Sequence, residues 1–423
     1  MTMPTIHRAV ARALRTTTLG ASVVLGASAC TDKFLEVTNP NVIDAATVDP
    51  AASAAALANT TQQNFATEFG MSAMFESHFT GETYIIETSS SQNEFGKREV
   101  SVDNATLAAR WAGLQLVAAS GKILLDLPLP TPTTNVNVAR GATFQAYGIL
   151  YLAFDFCSGT LSAGPALTTN QLLDSAIFWF SKGVEVGTAN GTADGLNLAR
   201  AALVGRARAR LQRGDKAGAL ADANAVPAGY SFSLTYQDDL ANRARLSNAM
   251  WRFIVDRGTI SVPPYYQTTD PRIKFLLPSQ HSYTAVDQAA GPFVVQQKFP
   301  SYASPLRLAS KLEAEYIAAE ASENVTQQLA LIDRQRAAAG QPPYSGATDA
   351  ASVLAELFYQ KGYDFWLEGK RMADWRRQPV AASRYVPVAG SPYWRTGFGS
   401  VGTQTCYPVP RTELDNNPNL KPS

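Results

Sequence analysis

Residues 365–377, "FWLEGKRMADWRR", crowd two tryptophans, two acids and four bases into thirteen positions of a chain that is only 17% charged. Two carboxylates this close can do acid–base work if one is kept protonated, and Asp364 with Glu368 would be the pair. The bases beside them act against that role, because a nearby cation favours the ionised carboxylate. The apolar spacing predicts one helix over 351–377, on which Asp364, Glu368, Arg371 and Trp375 share a face. Glu368–Arg371 and Arg371–Asp374 are then opposite-charge pairs three apart, each worth about 0.2–0.5 kcal/mol when exposed. The segment is expected to be an ion-pair ladder locking a helix, not an active site. It is not expected to be a nucleic-acid patch either. Acids alternate with the bases, and the whole chain of 423 residues sets 36 basic against 35 acidic residues, a net charge of +1.

Other chemistry is scarce. The three histidines (His7, His78, His281) and three cysteines (Cys30, Cys157, Cys406) are far apart in sequence. They form no CxxC or HExxH pattern, so no metal site is expected. Phosphate-loop, nucleophile-elbow and dinucleotide fingerprints are lacking, so the expectation is a non-enzyme without cofactor. Cys157 and Cys406 leave two alternatives: a bridge in an oxidising compartment, or a lone buried thiol at Cys157.

The N-terminus carries Arg8, Arg12 and Arg15, then the short apolar run "TTTLGASVVLGASA" at 16–29, then Cys30. That run is too short for a membrane span but suits a secretory signal peptide. A cysteine directly after small residues points to cleavage before Cys30 and its acylation, although Ala27 stands where leucine is usual. Several acyl chains such as palmitate would then anchor the chain to a membrane.

The elements that must hold these residues are mainly helical. Residues 51–75 are alanine-rich and helix-prone, and 78–104 read as an exposed loop region. Helices are predicted over 105–127, 139–156, 168–186, 193–212 and 216–225 from their apolar stripes. The stretch 197–227 has small residues and an "RGD" turn, as a tetratricopeptide-type hairpin does; such hairpins bury their apolar faces only by stacking. Residues 230–304 turn to prolines, glycines, aromatics and short β-prone runs such as "FIV" and "PFVVQQKF". Helices are expected again over 304–322, 324–340 and 351–377. The fold class is therefore mainly α: stacked tetratricopeptide-like helical hairpins with a loop-rich, minor-β segment.

Five blocks, in order, resemble the SusD/RagB family of outer-membrane nutrient-binding lipoproteins. They are "CTDKFLEV" (30–37), "SPLRLASKLEAEYIAAEA" (304–321), "LALIDRQRAAAG" (329–340), "KGYDFWLEGKRMADWRR" (361–377) and "YPVPRTELDNNPNL" (407–420). The match places Glu320, Asp333, Arg336, Glu368, Gly369, Arg371, Asp374 and Arg377 at motif positions. Lys361, Asp364 and Trp375 depart from the usual arginine, glutamate and leucine. The resemblance implies a signal peptide (1–29), a lipidated tether and leader (30–50), and an N-terminal helical part (51–229). A loop-rich ligand-binding segment (230–303) and a C-terminal helical part and tail (304–423) follow. It also implies a surface-exposed outer-membrane lipoprotein that binds oligosaccharide, or peptide, and delivers it to a SusC-like TonB-dependent transporter. A tetratricopeptide-type adaptor that binds protein or peptide is the alternative. Glu320, Arg336, Glu368, Arg371 and Asp374 would be structural.

Sugar rings stack on aromatic faces, so the ligand-binding candidates are loop aromatics: Tyr84, Phe95, Tyr265, Tyr266, Tyr283 and Phe293. The proline-stiffened "SVPPYYQTTDPR" (261–272) is the most favourable segment. Trp111 is a further candidate, with core packing as its other reading, and Trp394 in "PYWRTGFG" is another.

Overall fold

The structure is a computed structural model that describes residues 49–420; the expectations for the signal peptide and Cys30 lie outside them. Among the described residues the chain forms fourteen α-helices and eight short strands. The helices are α1 (Pro50–Phe79), α2 (Ser90–Lys97), α3 (Ala105–Leu125), α4 (Val136–Asp155), α5 (Thr169–Asn190), α6 (Ala193–Arg213) and α7 (Lys216–Ala225). Next come α8 (Arg243–Leu246), α9 (Ala249–Val255), α10 (Lys311–Ser322), α11 (Val325–Ala338), α12 (Ala350–Asp364), α13 (Arg371–Arg377) and α14 (Arg411–Asn416). The strands are β1 (Tyr84–Ile85), β2 (Ser158–Gly159), β3 (Leu167–Thr168), β4 (Ser231–Leu234), β5 (Ile260–Ser261), β6 (Phe275–Leu276), β7 (Val295–Gln296) and β8 (Leu306–Ser310). They make four two-stranded antiparallel ladders: β1–β5, β2–β3, β4–β8 and β6–β7. Of the described residues, 53–420 form one compact unit; in the unit before it, the Asp49 carboxylate accepts from the Ala52 N–H.

Helical hairpins build this unit. Helices α3 to α7 pack each against the next, α10 packs on α7, and α11 pairs with α12. Polar caps mark where each begins. Asn104, Thr168, Thr192, Asp215, Asn324 and Asp349 each accept backbone N–H groups that a helix start leaves unpaired. Helix α4 is mostly apolar, and seventeen of its twenty residues are buried. Phe65 and Phe69 of α1 lie on its Tyr147 and Tyr151, with ring centroids 5.5 and 5.3 Å apart. Fully burying a side chain such as Leu150 or Leu152 contributes roughly 1.5–3 kcal/mol each.

Four expectations are corrected. Segment 78–104 is not an exposed loop: it forms β1 and α2, and Phe95 is fully buried against Phe75 and Tyr407. "FIV" lies in helix α9, capped by Asn248, and not in a strand. Residues 306–310 form β8 before α10 begins, because β4 supplies the ladder for them. The predicted long helix over 351–377 is broken between α12 and α13 by a turn in which Leu367 and Gly369 both have φ of 61°. Glycine suits that conformation, and a Cβ on Gly369 would stand 3.0 Å from the Ala73 Cα.

The break rewrites the ion pairs, and neither predicted three-apart pair forms. Glu368 is buried, and Lys298 and two Arg307 nitrogens reach its carboxylate at 2.7, 2.9 and 2.9 Å. Asp374 pairs with Lys361 and Arg377, both at 2.8 Å, and Arg377 also grips Glu320 with two bonds of 2.7 Å. Lys370 donates to Glu313 at 2.7 Å, which Arg208 also reaches at 3.0 Å. Asp364 takes Arg272 and the Tyr316 hydroxyl. Arg336 holds Glu356 and the Pro342 carbonyl, while the Asp333 carboxylate accepts from the Tyr344 N–H. Burial acts to raise the Glu368 carboxyl, but Lys298 and Arg307 outweigh it and hold it below the usual carboxylate range. A carboxylate kept ionised in this way is no general acid, and the Asp364 carboxylate is taken up by Arg272 and Tyr316 instead of facing Glu368 as a partner.

Cys157 and Cys406 are joined by a disulfide, which resolves the two alternatives. It ties the C-terminal tail to the end of α4, where the Tyr407 N–H also donates to the Asp155 carbonyl at 2.7 Å. Closing a span of 249 residues is worth about 5 kcal/mol in the chain-entropy account.

Glu368→Gln is expected to lower unfolding stability by roughly 3–5 kcal/mol, because it leaves two buried cations short of their counter-charge. Urea denaturation at neutral pH measures it, and a change within about 0.5 kcal/mol would show the triad to be energetically idle.

Candidate binding clefts

Strand β1 carries the first side chain of the site. Its register sets Tyr84 opposite Ser261 and Ile85 opposite Ile260. Side chains alternate across a strand, so Ile85 enters the core while Tyr84 is left half-buried on the other face. The Val262 N–H donates to the Val294 carbonyl at 2.9 Å, joining a third segment to the two strands.

The partner of Tyr84 comes from the far end of the chain. Residues 391–401 fold back on themselves: the Tyr393 N–H donates to the Gly399 carbonyl at 2.9 Å, and Pro392 bridges Ser400. Tyr393 is buried, and its hydroxyl donates to Asn93 at 3.3 Å. Trp394 lies flat on Tyr84, with ring centroids 4.3 Å apart and planes within 3°. A second stack, Tyr265 on Tyr385, has centroids 4.8 Å apart, and the Tyr84 ring meets Tyr265 edge-on at 6.0 Å. The Tyr265 hydroxyl donates to the Gly81 carbonyl at 2.6 Å. Tyr385 has φ of 69°, a strained conformation for an aromatic residue that costs about 1–3 kcal/mol. Gly81 makes room for it, since a Cβ there would come within 2.4 Å of the Tyr385 carbonyl oxygen.

The Tyr84–Trp394 stack forms part of the wall of two clefts. One, of about 500 Å³, is lined by Ser261, Pro264, Gln267, Gly291, Thr396 and Phe398 among others. The other, of about 420 Å³, is lined by Tyr265, Tyr385, Val386, Pro387, Val388 and Tyr393 among others. Both volumes suit a small ligand or a few residues of an oligomer. Among the described residues charge is nearly absent: Arg395 is the one charged side chain lining the first cleft, and His78 the one titratable side chain besides tyrosines in the second. Burial pushes His78 down to about 3, so it is neutral, and its Nδ1 is 2.6 Å from the Thr83 hydroxyl. Flat aromatic faces, proline edges and a few amides and hydroxyls can hold a neutral ligand by stacking and hydrogen bonding.

The sequence candidates divide sharply. Tyr84, Tyr265 and Trp394 come together at the clefts. Tyr266 is fully buried beneath them and its hydroxyl accepts from Arg371 at 3.2 Å, so it supports the site without facing it. Phe95 is core, as noted above. Trp111 is also core, 3% exposed, with its indole N–H donating to Glu413 at 3.2 Å. Phe293 is buried with its ring edge-on to His281. Tyr283 is partly exposed but packs on Trp251, outside both linings. Sequence reasoning missed Tyr385, Tyr393, Arg395 and Phe398; the aromatic density of "PYWRTGFG" was the available signal for the last three, and none marked Tyr385. Glu320, Arg336, Glu368, Arg371 and Asp374 line neither cleft. No described helix is long and apolar enough to cross a membrane, and no metal-binding group of side chains occurs among the described residues.

No protein-family model matches the chain, and no curated protein matches it in sequence. Solved structures match its fold. A SusD superfamily protein from Parabacteroides distasonis superposes with a TM-score of 0.65, covering 88% of this chain and 98% of its own, at 16% identity. A SusD-like carbohydrate binding protein from Bacteroides vulgatus gives 0.66, with 87% and 97% coverage, at 14% identity. A laminarin binding SusD-like protein gives 0.64, with 87% and 98% coverage, at 13% identity.

Glu82, two residues before Tyr84, is fully buried and accepts from the Leu367 N–H at 3.3 Å. Burial raises its carboxyl from 4.5 to about 7, against Arg371, the Leu367 N–H and Lys298. The folded state therefore holds a proton that the unfolded chain gives up near pH 4.5. The associated stability, roughly 3 kcal/mol, is complete below that pH and is lost as the pH rises through about 7. Glu82→Gln keeps the acceptor without the titration. The stability of the wild type relative to this variant should fall between about pH 4 and pH 8 in denaturant titrations, and parallel profiles would refute the assignment.

Proposed function

From the SusD-like fold and its paired aromatic clefts, we propose that this chain is a non-enzymatic glycan-binding lipoprotein of the outer membrane. It captures neutral oligosaccharides and passes them to a SusC-like TonB-dependent transporter. The observation that carries the binding role is the parallel Tyr84–Trp394 stack between two nearly uncharged clefts. Sugar rings present flat C–H faces that such a platform accepts, and Gln267, Thr396 and Ser261 supply hydrogen-bonding partners to hydroxyls. The fold neighbours support it, since two of them are described as binding carbohydrate or laminarin.

The anchor rests on the sequence: a basic start, a short apolar run and Cys30 after small residues. The Cys157–Cys406 disulfide agrees with export, because such bonds persist in oxidising compartments and are rare in reducing ones. The transporter partnership follows from the motif resemblance and the shared fold. Peptide capture as an adaptor is the other reading, favoured by the helical hairpins alone; the nearly uncharged clefts give it no grip on termini or charged side chains.

Affinity electrophoresis in a panel of soluble neutral and acidic polysaccharides tests the binding. At least one neutral glycan should retard the protein, and Trp394→Ala should weaken that binding roughly tenfold or more, as loss of a central aromatic anchor does. Retardation by none, with peptides bound instead, would overturn it. For the anchor and partner, labelled palmitate should enter the wild type but not Cys30→Ala. Mild-detergent capture of the wild type should bring down a large outer-membrane barrel. Unlabelled protein, or repeated capture without a barrel, counts against this part.

A further inference from the structure

Among the described residues Arg395 is the one charged side chain in the lining of the larger cleft, and it already has a counter-charge. Its guanidinium is ion-paired with the Asp287 carboxylate, and its Nη1 donates to the Glu87 carbonyl at 2.7 Å. The Phe398 ring lies 4.3 Å from it, and the two ion-paired side chains are only 10% and 19% exposed. Asp287 stands two positions before the lining residues Ala289 to Gly291, and its other oxygen accepts from the Ala289 N–H at 3.0 Å.

An open guanidinium beside an aromatic platform is a strong receptor for carboxylate or sulfate, which it binds through two parallel hydrogen bonds. Here two of the guanidinium's five donors are already committed, to Asp287 and to the Glu87 carbonyl, and an incoming anion would meet the Asp287 charge at short range. Breaking the pair to admit it would strand that carboxylate in a poorly solvated place. The second cleft offers no cation in compensation. We propose that the Asp287–Arg395 pair is a charge filter, which makes this site select uncharged glycans and reject anionic ones of the same backbone. The inference rests on the glycan reading of the clefts.

The test takes the neutral polysaccharide that binds best in the panel and the same polymer with its primary hydroxyls oxidised to carboxylates. The wild type should bind the oxidised form roughly tenfold more weakly or worse. Asp287→Asn keeps the acceptor for the Ala289 N–H and uncovers the guanidinium. It should regain roughly tenfold affinity for the oxidised polymer while its affinity for the neutral one changes less than about threefold. That gain should fade between about 0.05 and 0.5 M NaCl and vanish when Arg395→Gln is added. Equal binding of both polymers by the wild type overturns the filter, and it does so even if the variant folds poorly. A folded Asp287→Asn protein that gains nothing overturns it as well. If no glycan binds the wild type, the reading of the clefts is what fails, and the filter falls with it.

Discussion

A buried carboxylate that stays ionised must be met by cations, and Glu368 imposes that condition on three distant segments of this chain. It sits in a turn no longer than six residues between α12 and α13, out of water, with Lys298 and Arg307 on its oxygens. Those two cations also read the turn's backbone: Lys298 donates to the Trp366 carbonyl at 2.7 Å and Arg307 to the Asp364 carbonyl at 2.8 Å. Removing any one partner leaves a charge in a medium that solvates it badly, so the three segments are obliged to meet. Residues 295–299 and strand β8 are thereby fastened to the C-terminal helices.

The consequence reaches the clefts without any of these groups lining them. Residues just before Lys298 accept from Val262, β5 pairs with β1, and β1 presents Tyr84. On the other side of the turn, Leu367 donates to Glu82 and Arg371 donates to Tyr266, which lies under Tyr265 and Tyr385. The back of the binding platform is therefore hung on the signature turn. Strain at Tyr385 persists because the structure around it is held so firmly. A rigid, preformed pair of aromatic stacks loses little freedom when a ligand arrives.

Most of the scaffold was legible in the sequence. Helix spacing, small residues and the "RGD" turn located the hairpins from α3 to α7, and α7 was bounded correctly to the residue. Signals of this kind are local, so they need no knowledge of what packs where. The failures came where a distant partner overrode local preference. Residues 306–310 look helical until β4 is available to pair with them, and 365–370 continue a helical period that Gly369 and the buried ions interrupt. Phe95 looked like a binding aromatic, because sequence does not distinguish a ring at the surface from one in the core, whereas the core reading favoured for Trp111 holds.

By itself the sequence determined the mainly helical class, the blocks that resemble SusD/RagB proteins, and the expectation that loop aromatics rather than carboxylates would do the binding. The first two rest on composition and short-range spacing, and the third on the ligand class that the resemblance implies. Tertiary structure alone decided that Tyr84 and Trp394, separated by more than three hundred positions, stack face to face. It alone joined Cys157 to Cys406 and cancelled Arg395 with Asp287. These are pairings between remote segments, set by which faces are left once the hairpins have packed, and no local pattern encodes them.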